Sequence, residues 1–374
     1  MRPRCWPLLA LFLLVAALLG CDTTAPQPES QVVVETYLQA EAPLPTIRLT
    51  RTVGTDEVYA PSAAAVRGAD VAVDRLAGDD STAQTTVAYS ETDSVPGVYA
   101  PRRPPVVEPG ATYRLRVEPP GGARLTATTT VPDAIRLLEL KNDTSTYQSE
   151  NQPTFVVEPP RRPADRQNVY VFSTTSLLDF ERLPDDALRR ALAPVYRNGF
   201  GPNADSLEDL RTTSSGLLNE ANFQRTDDGT LTIELPWLGV AFFGPNEVAI
   251  NVVDDNYYDF LRSQEAQQQG GFSPGEIPNV IEHVEGGTGI FGSYARVARP
   301  VFIRPPDSVR LPDQVPDSLL GSIGPSMPRA PSGNGGTVSR RPPGLDVASA
   351  PPAPASTDGF GDPLRADSSS PRVD

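Results

Sequence analysis

The 374-residue chain is short of the side chains on which most protein chemistry depends. It has two cysteines (Cys5 and Cys21), one histidine (His283), one lysine (Lys141) and two tryptophans (Trp6 and Trp237). So few thiols supply neither a disulfide framework nor a thiolate metal site. One imidazole is too few for a two-histidine zinc site or a non-haem iron triad, and leaves a serine triad a single position to use. Basic residues are outnumbered, 32 against 47 acidic, for a formal net charge of −15. An acidic surface repels nucleic acid and anionic lipid, and both are excluded as partners on that ground.

What the chain does have begins at its first residues. Arg2 and Arg4 carry positive charge, Pro7 to Leu19 is apolar after its proline, and Gly20 is small. This is the layout of a secretory signal, whose apolar middle spans about 7–15 residues. A transmembrane helix needs roughly 20 apolar residues, so the run is short for a permanent span. Cys21 follows Leu18-Leu19-Gly20 directly. The tetrapeptide resembles the bacterial lipobox (Leu-x-Gly-Cys), after which the cysteine is acylated and becomes the mature N-terminus. Several acyl chains, palmitate among them, each bury many methylenes at about 0.8 kcal/mol apiece, which makes such an anchor stable. Cys5 then leaves with the signal and Cys21 is consumed by lipid, so the folded part is stabilised by core burial alone.

The body of the chain reads as mainly β. From Gln31 to Val131 the hydrophobic period is two: Ile47 and Leu49, Val71 and Val73, Tyr113, Leu115 and Val117, then Leu125, Ala127, Thr129 and Val131. Glu118 to Gly122 (EPPGG) is a hairpin connection. Short half-buried strands with turns between them predict an N-terminal antiparallel β-sandwich of immunoglobulin-like or transthyretin-like type over 32–131. Beyond Pro132 a β-rich domain with helical insertions is expected over 132–304. Its helices are placed after Asp185-Asp186, on Leu188, Leu192 and Val195, and after Asp254 or Asp255 with a stop at Gly270-Gly271. From residue 305 to 374 Pro, Ser, Gly and Asp dominate, and a disordered tail is expected. With 1–20 as signal peptide and 21–31 as lipid-anchored tether, this completes the expected organisation.

Several motifs invite a chemical reading. Gly287-x-Gly289-x-x-Gly292 spells the dinucleotide fingerprint, but SYARVARPVFIRP after it is strand-like and closed by Pro300 and Pro305. The fingerprint needs a strand before it and a helix after it, so the expectation is a glycine loop ahead of a final strand, with Phe291 packed inward. Asp254 with Asp255 and Asp259, or Glu282 with Glu285, are the carboxylates from which an acid–base pair for glycoside cleavage would be drawn. Helix capping already accounts for Asp254 and Asp255, and no D-x-[DN]-x-[DN]-G calcium loop is present. His283, beside Val284, reads as a loop or edge residue. Trp237, Phe242 and Phe243 lie in the most apolar stretch of the mature chain and read as a buried strand. Tyr257 and Tyr258 read as exposed and are the candidate ligand contacts. No catalytic residue, cofactor or metal site is assigned.

VVVETYLQ and PTIRLTRTV soon after the lipobox, VRGADVAV, PGVYAP and GATYRLRVEPPGG, and finally PNVIEHVEGGTGIFGSY together resemble the bacterial lipoproteins of domain-of-unknown-function family 4249, common in Bacteroidota. The resemblance spans about Val32 to Tyr294 and is most specific at Asn279, Gly286-Gly287, Gly289 and Phe291-Gly292. His283 stands where that family usually has asparagine. The resemblance implies a lipid-anchored protein of the outer membrane, often encoded beside a TonB-dependent transporter, and carries no reaction. The leading expectation is therefore a non-enzymatic accessory or ligand-binding lipoprotein working with such a transporter, on either face of the outer membrane. The alternatives are a structural or adhesive surface lipoprotein and a carboxylate-based hydrolase.

Overall fold

In the computed structural model the described residues are 30–54, 57–78, 82–162, 166–179, 211–268 and 281–306. The helix expected after Asp185-Asp186, the tail beyond residue 306 and the anchor segment through residue 29 lie outside them. The first seven strands are β1 (Val32–Gln39), β2 (Ile47–Arg51), β3 (Asp70–Leu76), β4 (Ala83–Glu91), β5 (Val98–Pro101), β6 (Thr112–Glu118) and β7 (Leu125–Thr130). They pair antiparallel with one another, and β2, β3, β6 and β7 are the ones that the alternation foretells, with Val71, Val73, Leu115, Val117, Leu125 and Ala127 turned to the core. β6 and β7 form a hairpin over Glu118–Gly122, where Gly121 takes the positive φ of 68° that a side chain would disfavour.

The strands that follow are β8 (Arg136–Lys141), β9 (Thr144–Thr146), β10 (Thr154–Glu158), β11 (Val169–Ser176), β12 (Thr212–Ser214), β13 (Leu218–Asn219), β14 (Gln224–Arg225), β15 (Leu231–Glu234) and β16 (Gly244–Val253). Helix α1 (Asp255–Gln268) comes next, then β17 (Val284–Glu285) and β18 (Thr288–Arg304). The chain is mainly β, with the sandwich first and a β-rich part after it. Among the described residues the main sheet runs β12-β11-β16-β18-β1-β2-β5-β4-β3-β6-β7-β17, and β14-β15-β10-β8 form a smaller one. Buried side chains from both parts, Leu49 and Leu115 as well as Phe172 and Ile250, belong to one hydrophobic cluster.

β18 joins the two parts. Its first half pairs in parallel with β1, Thr288 opposite Val33 through Tyr294 opposite Gln39. Its second half pairs with β16, Tyr294 opposite Val253 through Ile303 opposite Gly244. The glycines required here have a steric reason. A Cβ on Gly289, whose φ is 108°, would stand 2.1 Å from the Val34 carbonyl oxygen, and one on Gly286 would stand 2.2 Å from that of Arg124. The GxGxxG segment therefore lets one backbone pass between β1 and β7, and it opens a strand rather than a nucleotide-binding helix. Phe291 is buried as expected.

Two expectations about strand ends are corrected. Pro300 does not close the last strand; it lies within β18, opposite Glu247. It falls between the stretch whose other edge pairs with β1 and the stretch whose other edge pairs with β9, so the missing N–H costs no ladder bond on that side. The segment after Pro236 is not a strand either. Trp237–Gly239 is a 3-10 turn and strand pairing resumes at Gly244, while Phe242 and Phe243 are buried without ladder partners. Burial, not β pairing, explains that apolar run.

Candidate functional site

β16 ends at Val253 and the chain turns directly into α1. Asp254 is the capping residue: its Oδ1 accepts the Tyr257 N–H at 2.9 Å. The same oxygen accepts the Ser293 N–H of β18 at 3.0 Å, and Oδ2 accepts a short hydrogen bond from the Thr129 hydroxyl of β7. Two residues on, the Asn256 amide donates to the Thr128 carbonyl at 2.7 Å and to the Phe291 carbonyl at 2.9 Å. The start of α1 is thus tied to β7 and β18 at once, a purpose beyond capping. Burial pushes the Asp254 carboxyl up to about 6, against the pull of its three hydrogen bonds.

A groove of about 460 Å³ opens beside this cap, lined by Arg162, Arg166, Gln167, Tyr258, Asp259 and His283 among others. Arg162 is held by the Gln167 carbonyl at 3.0 Å and the Val253 carbonyl at 3.1 Å. Both arginines pair with Asp255, Arg162 at 3.5 Å and Arg166 more closely. On the same helix face Asp259 Oδ2 lies 2.8 Å from His283 Nε2. His283 also borders a second cleft of about 200 Å³, with Phe260, Ser263 and Thr288 on its walls. The site is therefore a polar groove in which Asp255 meets two arginines, Asp259 meets His283, and Tyr258 shares the lining.

Among the described lining residues the groove has no serine, threonine or cysteine for the His283–Asp259 pair to activate. In the adjoining cleft the Ser263 hydroxyl donates to the Asp259 carbonyl at 2.7 Å and the Thr288 hydroxyl to Glu282 at 2.9 Å. The five carboxylates considered for hydrolysis each have partners, Asp255 in the two arginines just described. Asp254 is 4 % exposed and caps α1, Asp259 holds His283, Glu282 accepts from Thr288, and Glu285 accepts from Thr126 at 3.2 Å. Among the described residues no group of acids, histidine and cysteine is arranged to hold a metal ion.

The two tyrosines part company. The expectation that Tyr257 is exposed is corrected: it is 2 % exposed, its ring 4.9 Å from that of Tyr37 and 6.3 Å from that of Tyr294. Neighbouring helical residues project about 100° apart, so only one of an adjacent pair can face the groove. Tyr258 is that one. Asp255, Tyr258 and Asp259 stand at i, i+3 and i+4, a shared face that the sequence already displays. Arg162 and Arg166 arrive from about 90 positions upstream, and no local signal links them to α1. Cys21 lies outside the described residues.

Among solved structures, the chain is similar to native Escherichia coli alpha-2-macroglobulin at 10% identity, covering 75% of this chain and 17% of that one, TM-score 0.19. It is similar to three N-terminal domains of the bacteriophage RB49 outer capsid protein Hoc at 8% identity, covering 74% of this chain and 71% of that one, TM-score 0.17. Tandem Ig repeats of Dlar align at 9% identity over 74% of this chain and 99% of that one, TM-score 0.18. At these TM-scores the likenesses carry no functional argument. No curated protein matches the sequence. The model of the family described as "Domain of unknown function (DUF4249)" matches residues 21–299, and the chain belongs to that family.

Proposed function

We propose that this protein is a lipid-anchored, non-enzymatic accessory protein of the outer membrane, of the kind found in Bacteroidota, that offers the groove at the start of α1 to a polar ligand on behalf of a TonB-dependent transporter. The observation that carries the reading is Cys21. It closes a charged-then-apolar leader as Leu18-Leu19-Gly20-Cys21, and the family match opens at that residue. No helix among the described residues is long and apolar enough to cross a membrane. Lipid is the attachment that a leader of this layout offers. The groove supports the binding half: an aromatic ring flanked by charged and amide groups presents one apolar face and several fixed polar contacts.

Metabolic labelling with palmitate tests the anchor. The wild-type protein is expected to carry label and to fractionate with outer membranes, whereas Cys21→Ser is expected to carry none and to stay with its uncleaved leader. Unlabelled wild-type protein would refute the anchor. Gentle solubilisation of those membranes is expected to bring a TonB-dependent barrel down with the wild-type protein.

A further inference from the structure

We propose that Val53, Val58 and Tyr59, between β2 and β3, form a membrane-contact surface, laid on the bilayer that holds the lipid anchor. The inference rests on the anchoring reading above and adds which face of the fold meets the lipid. Its starting point is where the chain enters the fold. The Gln31 N–H donates to the Thr52 hydroxyl at 2.9 Å, the Thr52 N–H donates to the Gln31 carbonyl at 2.9 Å, and the Ser30 hydroxyl donates to the Thr52 carbonyl at 2.9 Å. The tether is thus stapled to the root of this loop. The root is closed by the Arg51 N–H on the Ala64 carbonyl at 2.7 Å and by the Val66 N–H on the Leu49 carbonyl at 3.0 Å. What projects from it is apolar where water should be met. Val58 is 94% exposed, Tyr59 52% and Val53 36%, three of the eight large exposed hydrophobics among the described residues. Single exposed apolar residues need no explanation, but three in one loop beside the anchor do.

The distances agree. Eight residues lie between Cys21 and Ser30, a stretch that reaches at most about 30 Å fully extended. The anchor therefore holds the loop beside the bilayer at high effective concentration, and weak insertion suffices. Tyrosine and valine suit the interfacial zone, where a ring sits at headgroup level with its hydroxyl wetted. Glu57 is exposed within the same loop and disfavours anionic headgroups, so the contact is with zwitterionic lipid. The register also places the α1 cap away from this end: Ser293, beside that cap, pairs with Leu38 at the far end of β1 from Gln31.

The test uses acylated full-length protein in phosphatidylethanolamine-rich vesicles. With Cys5 cleaved and Cys21 acylated, Val58→Cys provides one free thiol for an environment-sensitive fluorophore. Leu138→Cys, on an exposed position of β8, serves as the control. Brominated lipids are expected to remove most of the fluorescence at position 58 and little at 138. A label at 58 as sensitive to aqueous iodide as that at 138, on protein that floats with the vesicles, overturns the proposal. So does a label shielded from iodide yet blind to bromolipid in vesicles reconstituted from outer-membrane extract, which would mark a protein partner at that loop. Protein whose mass shows no acyl chain sinks the anchor itself, a result distinguishable from both.

Discussion

Asp254 shows how much one residue can be asked to do. It is a helix cap by position, a link between β7, β18 and α1 by contact, and a buried acid by environment. Asp254→Ala leaves the N–H groups of Tyr257 and Ser293 without an acceptor, and is expected to cost about 2–4 kcal/mol. Its folded carboxyl titrates near 6 against an ordinary value of 3.8, so the folded state holds the proton more tightly. The resulting stability is fully present below about pH 3.8 and is lost as pH rises through about 6, a difference of at most about 3 kcal/mol. Asp254→Asn keeps the acceptor without the titration. Urea midpoints at pH 4 and pH 8 are expected to show wild type losing stability relative to Asp254→Asn; parallel profiles would refute the assignment. Asp74, by contrast, is buried yet held below its ordinary range, because hydrogen bonds from Arg116, Thr86 and Arg114 outweigh desolvation. Two buried acids thus titrate in opposite senses, according to whether cations face them.

At the scale of elements, β18 decides more than any other. Seventeen residues long, it pairs with β1, then β16, then β9, and is led in by glycines that let it pass within contact of neighbouring backbone. Gly289→Ala puts a methyl group where the Val34 carbonyl already stands and holds a side chain at positive φ. It is expected to destabilise by at least about 3 kcal/mol and to abolish amide protection along β1 first. Gly78→Ala, with open space around the new Cβ, is expected to be near neutral in the same hydrogen-exchange measurement. Of the strands before residue 131, β2, β3, β6 and β7 were legible because each shows a period of two, whereas β4, exposed over most of its length, and the short β5 show none. The extent of β18 was not, because Pro300 and a run of glycines are stop signals locally and are overridden only by unpaired edges and crowding from other strands.

At the scale of the molecule, the sheet does not stop at Pro132. β7 ends at Thr130, but β17 pairs with β7 and leads through Gly286-Gly287 into β18, so the strand path of the first part continues into the second. The two parts also share one hydrophobic cluster. Residues 32–304 are therefore expected to unfold in a single transition. Trp237, the only tryptophan after the leader, reports on the second part, and far-ultraviolet circular dichroism on both. Their urea midpoints are expected to coincide, and separated midpoints would show two independent domains.

The sequence by itself determined what depends on neighbours along the chain: the alternation of β2, β3, β6 and β7, the 118–122 turn, a helix starting at Asp254-Asp255, and the scarcity of thiol and imidazole. Tertiary structure alone decided what depends on residues far apart. It turned Tyr257 inward against Tyr37 and Tyr294, brought Arg162 and Arg166 to Asp255, and set His283 against Asp259. It also hung an apolar loop beside the chain's point of entry. The physical reason is that propensity and period are written locally, whereas which face of an element is buried depends on which other element arrives there.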